Sequence, residues 1–257
     1  MDFQIGFNQI EIDALENKNV EAVWTYYNVQ DQHHQIVPDG RTDLIFTFDV
    51  NKDGQSSNII PLISPPFIKA HSIRIGAHQG FVGLRLRAGT AGAFLKTPLS
   101  NITGNLQYGK CAIKHVPLFN TIGKEQINIR NLITDINQQV CAISSQVESS
   151  MISDILRLID EDKGITQIKH IAHQLKVSER TLNRKFTYAV GLSPKQFSNI
   201  VRLRRAIHCL ADPDYTISTI AMDCGFSDQA HMTREMKNHI GQTPALIQRS
   251  LDISILL

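Results

Sequence analysis

The C-terminal part of this 257-residue chain repeats itself, and the repeat restricts the fold more than any other feature. Ile171-Ala172 recurs 49 residues later as Ile220-Ala221, and Val177-Ser178 as Phe226-Ser227. Past one inserted residue the offset becomes 50. Leu182 then answers to Met232, Arg184 to Arg234, Phe186 to Met236, Gly191 to Gly241, and Ser193-Pro194 to Thr243-Pro244. Each copy reads as a short helix, a tight turn, a second helix opening at Ser, and a Gly-x-Ser/Thr-Pro stop. Two helix-turn-helix units in one all-α domain follow from that pattern.

The second helix of each unit has two distinct faces. Leu182 and Phe186, or Met232 and Met236, stand four residues apart and fasten the helix to a core. Ser178 and Ser227 are placed to cap the orphan N–H groups at the two helix starts. The opposite face carries Arg180, Asn183 and Arg184 in the first copy and Gln229, His231 and Arg234 in the second. Arg pairs bidentately with guanine, and Asn or Gln with adenine, across a groove wide enough for a helix. In a helix-turn-helix the N-terminal part of the second helix does this reading. These six residues are the expected base contacts, against the alternative of an ordinary solvated face.

Ser178, Lys185, Arg202, Arg205, Ser227 and Lys237 are candidate phosphate contacts. For Arg202, Arg204 and Arg205, salt bridges within the protein are an equal alternative. These three lie on a helix from Lys195 to Leu210, started by Ser193-Pro194 and carrying Ile200, Leu203, Ile207 and Leu210 on one face. Such a helix holds the units at a fixed separation. Insertion into consecutive major grooves calls for about 34 Å.

Charge distribution agrees with a polyanionic partner. The net charge is only +2, but residues 165–250 hold 12 Lys+Arg against 6 Asp+Glu, while residues 1–150 hold 12 against 13. No stretch approaches the roughly 18 apolar residues of a membrane span, and the N-terminus lacks a basic, then apolar, leader pattern. Cys111, Cys141, Cys209 and Cys224 show no CxxC spacing. A cytoplasmic protein with reduced thiols is the reading, with no cofactor, no metal and no membrane association.

The first hundred residues favour strands. Ala22–Gln30, Thr42–Val50, His71–Ile75 and Phe81–Arg87 are short and rich in β-branched or aromatic residues. Pro38-Asp39-Gly40, Asp53-Gly54, Pro65-Pro66 and Gly76 punctuate them, which suggests a small barrel or sandwich. Asn120–Ile136 reads as an amphipathic helix, either a dimer interface or packed on its own domain, and Asn137–Ser150 as a polar linker. His33, His34, His71 and His78 lack metal-ligand spacing, and Arg41, Asp43, Arg85 and Arg87 suit surface strand charges better than a ligand cavity. The expected fold class is α+β in two domains. A β-rich sensor or dimerisation domain spans 1–140, a linker 141–150, and the double helix-turn-helix domain 151–257.

The segments SERTLNRKF, GLSPKQF and ISTIAMDCGFSDQAHMTREMKNHIGQTP resemble the AraC/XylS transcription regulators in order and spacing over about residues 152–249. The resemblance implies a seven-helix DNA-binding domain and places that family's base-contacting positions on Arg180, Asn183, Arg184, Gln229, His231 and Arg234. Met236 stands where the family usually has an aromatic residue, and Ala230 where some members have a longer polar side chain. HHQIVPDGRTDLIF and VGLRLRAGTAGAFLKTPLSNIT resemble sensor domains of the same family, which implies a cupin-like N-terminal domain. Double-stranded DNA, RNA polymerase, a small-molecule effector in the N-terminal domain and a homodimer partner are the implied partners, and activation of transcription the implied role. The alternatives are a DNA-directed enzyme of the alkylation-repair type and a cupin-type metalloprotein bearing the same module. The first needs a reactive cysteine, typically after a proline, and none of the four follows one.

Overall fold

The computed structural model describes residues 5–10, 19–52, 55–120, 150–212 and 214–249. The N-terminal half is β-rich. Strands β1 (Gly6–Ile10), β2 (Val20–Tyr27), β3 (Gln32–Ile36), β4 (Thr42–Val50), β5 (Ser56–Ser64), β6 (His71–Ile75), β7 (Gln79–Leu86) and β8 (Gln107–Tyr108) form two antiparallel sheets. The larger has the order β1-β2-β7-β4-β5-β8, and β3 pairs with β6 in the smaller. Strand β4 lies between β7 and β5, with Leu44 opposite Leu84 on one side and Ile63 on the other.

Alternation along the central strands sends Leu44, Phe46, Phe48, Val82, Leu84 and Leu86 to one face. That face is closed by short 3-10 turns at Ala91–Ala93, Leu99–Asn101 and Pro117–Asn120 and by helix α1 (Lys110–His115). Phe94, Leu99, Val116 and Phe119 reach into the core from these pieces, Phe119 edge-on to Phe46 with ring centroids 5.0 Å apart.

The other face of the sheet is polar yet covered. Trp24 packs over Gly83, where a Cβ would lie 2.1 Å from the indole, and donates from Nε1 to Asp43 Oδ1 at 3.0 Å. Arg85 donates to both Asp43 oxygens, at 3.2 and 3.4 Å, and also reaches Asp39 at 3.4 Å; Arg41 pairs with Glu21. Asp43 is 8% exposed, so these are not free surface charges. Burial raises the Asp43 carboxyl pKa, and Arg85 pulls it the other way.

The C-terminal half is helical: α2 (Ser150–Glu161), α3 (Ile168–Gln174), α4 (Glu179–Val190), α5 (Pro194–Leu210), α6 (Ile217–Asp223), α7 (Gln229–His239) and α8 (Pro244–Arg249). These are seven helices among the described residues. Helix α5 is the axis of the domain. Its capping box is complete, with Ser193 Oγ accepting from Gln196 N at 3.2 Å and Gln196 Oε1 from Ser193 N at 2.8 Å, and Pro194 opens its first turn. Phe197 and Ile200 join the core of the first unit with Leu182, Phe186 and α2's Ile155. Leu203, Ile207 and Leu210 join the core of the second with Ile220, Met232 and Met236. One rigid helix thereby packs against both units.

The expected strands at Thr42–Val50 and His71–Ile75 occur with those bounds, and the flanking two are displaced slightly, to Val20–Tyr27 and Gln79–Leu86. The expected helix over Asn120–Ile136 and linker over Asn137–Ser150 fall outside the described residues, apart from Asn120 in a 3-10 turn and Ser150 at the start of α2. Among the described residues no helix is long and apolar enough to cross a membrane.

Candidate nucleic-acid interface

Each unit is a short helix, a turn through left-handed backbone, and a longer helix. In the first, α3 ends at Gln174, Lys176 turns the chain at φ 54°, and α4 begins. In the second, α6 ends at Asp223, Gly225 turns the chain at φ 73°, and α7 begins. Lys176 and Gly225 are related by the 49-residue offset. Gly191 and Gly241, both left-handed at 82° and 84°, follow the two longer helices and are related by the 50-residue offset.

The caps show where the inserted residue goes. Ser178 caps α4, accepting from Thr181 N at 3.2 Å. The cap of α7 is Asp228 and not Ser227: its Oδ1 accepts from His231 N at 2.6 Å. The insertion lies in the second turn, ahead of the cap, so the side chain at the helix boundary is the Asp. That backbone N–H, helped by Ser227 and the charge of Arg234, holds the Asp228 carboxyl below the usual carboxylate range. Ser227 is displaced to a second role. Its N–H donates to His231 Nδ1 at 3.3 Å, its hydroxyl lies 3.1 Å from the same nitrogen, and the His231 ring stands edge-on to Phe226 at 5.5 Å. With Nδ1 accepting, the neutral imidazole carries its proton on Nε2 and can donate there.

The candidate readers are brought together as two patches. Arg180 and Arg184, one turn apart at the start of α4, are exposed, and Asn183 is half-buried between them. Asn183 Nδ2 donates to the Glu179 carbonyl at 2.8 Å, which commits one amide proton to the helix. A bidentate adenine contact through this amide uses its oxygen and its other N–H. On α7, Gln229 and Arg234 are exposed and His231 is half-buried. Ser178, Lys185, Ser227 and Lys237 are also exposed, flanking these patches in chain order.

Arg202 is a correction to the sequence reading. It is 9% exposed, and its guanidinium donates to the Gly225 carbonyl at 3.2 Å and to Asn199 Oδ1 at 2.9 Å. It also lies over the Phe226 ring, 4.8 Å from the centroid. Those bonds tie α5 to the turn that presents α7, and a group so enclosed does not reach a phosphate. Arg204 is half-buried. Burial lowers the pKa of its guanidinium, with Asp39 acting the other way and Arg41 and Arg85 adding to the shift. Arg205 is half-buried.

Both longer helices end on the β-domain. Thr103 Oγ1 donates to the Gly191 carbonyl at 2.9 Å, behind α4. Behind α7, Ala70 N donates to the His239 carbonyl at 2.6 Å, Gln35 Nε2 to the Ile240 carbonyl at 2.6 Å, and Gln242 Nε2 to Gln35 Oε1 at 3.0 Å. His239 Nδ1 donates to the Ile68 carbonyl at 2.7 Å. Carbonyls that a helix end leaves orphaned are thus paired across the domain boundary. Gly40 comes so close to Phe197 on α5 that a Cβ there would lie 2.6 Å from its ring. None of these contacts is visible in local sequence, since each joins residues far apart in the chain.

Cys224 is buried, and its thiol is pushed up to about 11, by burial first and then by the neighbouring Cys209. A thiol held that high is a poor nucleophile at neutral pH. Cys141 lies outside the described residues.

Two protein-family models match parts of the chain. Residues 171–250 match the family described as a helix-turn-helix domain, and residues 17–106 match a domain of unknown function (DUF6597). The HTH-type transcriptional activator RhaS of Escherichia fergusonii is 34% identical over 85 residues, covering 33% of this chain and 31% of the relative. The match therefore spans about a third of the length of the curated relatives. A Chromobacterium violaceum transcriptional regulator with an AraC-type DNA-binding domain is 27% identical over 38% of this chain and 89% of its own, with a TM-score of 0.36. An apo form of ToxT from Vibrio cholerae is 12% identical over 90% of this chain and 97% of its own, with a TM-score of 0.46. Residues 171–250 therefore carry a helix-turn-helix domain of the kind that the AraC/XylS resemblance implies.

Proposed function

We propose that this chain is a sequence-specific DNA-binding transcription regulator, an activator, which acts by binding and not by catalysis. The observation that carries the reading is the paired arrangement of two capped recognition helices on one rigid α5, each presenting a cluster of polar and cationic side chains at its N-terminal end. Arg180, Asn183 and Arg184 read one half of the site, and Gln229, His231 and Arg234 the other. Ser178, Lys185, Ser227, Lys237 and Arg205 supply phosphate contacts, which give much of the affinity while base contacts give the specificity. The similarity over 85 residues to proteins described as transcriptional activators supports the sign of regulation. The β-domain serves as an effector-sensing or dimerisation unit, and RNA polymerase is the partner of the activated complex.

The test is selection of duplexes from a randomised library on the full chain, followed by affinity measurements on the selected site. Arg234→Ala should weaken binding by about 1–3 kcal/mol and relax preference at one or two base pairs. Unchanged affinity and preference would remove α7 as a reader.

A further inference from the structure

We propose that the β-domain is itself part of the DNA-binding surface, with Lys96 contacting the phosphate backbone beside the first recognition helix. This rests on the reading of α4 as a helix that enters the major groove. A cleft of about 740 Å³ separates α4 from the segment that follows β7. Leu95, Leu99 and Ile152 form its buried floor, and Lys96, Arg184 and Lys185 line it with their exposed side chains. Among the described residues lining the cleft there are three cations and no carboxylate. Two of the cations come from α4 and one from the other domain.

Helical geometry says what should pass through it. Successive residues on a helix are turned by about 100°, so Arg184 can share the reading face with Arg180 while Lys185 points a quarter-turn aside. That flank, continued one turn on by Ala189, lines the cleft. A helix with its side chains is about 10–12 Å across and the major groove about 12 Å wide, so phosphates must wall the helix on both sides. One wall then falls on the side of Lys185, where the cleft stands open and Lys96 faces it from the β-domain. Exposed cations with no carboxylate among the described residues of the lining are what a polyanion requires, and each phosphate neutralised releases condensed counterions.

The experiment measures affinity of the full chain for its selected duplex across a range of salt concentrations. Lys96→Ala should lower the slope of log affinity against log salt by about one unit, and weaken binding about eightfold at 0.1 M salt. Lys52→Ala, an exposed lysine in the turn after β4, should leave the slope unchanged, and equal melting temperatures would exclude a folding effect. A Lys96→Ala slope equal to that of the wild type overturns the proposal and leaves the cleft to a small anion. Loss of affinity without a change of slope also overturns it. If Arg234→Ala weakens binding and Lys96→Ala does not, only this inference fails. If the full chain selects no duplex, the regulator reading fails with it.

Discussion

Gly225 and Lys176 solve the same backbone problem with different residues. Both sit in the left-handed region within a helix-turn-helix turn, at φ 73° and 54°. Lys pays the steric cost that glycine avoids. At Gly225 a side chain is disfavoured for a second reason: a Cβ would lie 2.6 Å from Ile165 Cγ1, so the Ile165 side chain would have to shift. Gly225→Ala should therefore destabilise the protein by about 2–3 kcal/mol, read as a lowered melting temperature, with backbone strain and overpacking both contributing. A loss under half a kcal/mol would show that the second turn is looser than described. The same turn explains Arg202. Its bond to the Gly225 carbonyl and its position over Phe226 make it a positioning residue for α7, which also orients His231 through the edge of the Phe226 ring. As sequence, Arg202 is one of three arginines on a helix. Only the tertiary fold distinguishes it from Arg205.

At the level of elements, the two recognition helices differ in how they begin. Ser178 caps α4 with a hydroxyl, whereas Asp228 caps α7 with a carboxylate whose pKa is depressed by the His231 backbone N–H. A depressed folded-state pKa means that the cap's contribution is present above the ordinary carboxylate value and is lost as pH falls through the lowered one. Acidification below about pH 4 should therefore fray the N-terminus of α7 before that of α4. Hydrogen exchange at the amide of His231 should accelerate relative to that of Thr181, beyond the intrinsic pH dependence. Parallel behaviour of the two amides would mean that Asp228 does not hold the helix start. The helices themselves were legible, because repeated glycines, Ser/Thr-Pro pairs and buried i, i+4 positions mark them. The cap was not, because a one-residue insertion among Phe226, Ser227 and Asp228 can be placed in more than one way. In the β-domain, Thr42–Val50 announces itself by β-branched and aromatic content. Ser56–Ser64 does not, since Pro61 interrupts it; the strand tolerates this residue at the margin of the β8 pairing, which begins at Leu62, and the Pro61 carbonyl still accepts from Gly109 N at 2.8 Å. Gln32–Ile36 was equally hidden, being polar and paired only with β6.

For the whole molecule, the arrangement of the domains decides what the candidate site can do. The C-terminal ends of α4 and α7 are fastened to the β-domain through Thr103, Ala70, Gln35 and the Ile68 carbonyl, at places related by the internal repeat. Their N-terminal ends, with the candidate readers, are the exposed ends. α5 spans the two cores and meets the β-domain at Phe197, where Gly40 leaves room for the ring. This framework is a rigid mount for two helices, and the central claim is that both enter DNA together. Hydroxyl-radical footprinting of the full chain on its selected duplex tests that claim most directly. Two protected patches on one face, with centres about 10–10.5 base pairs apart, are the predicted result. A single patch, or two on opposite faces of the duplex, would contradict it.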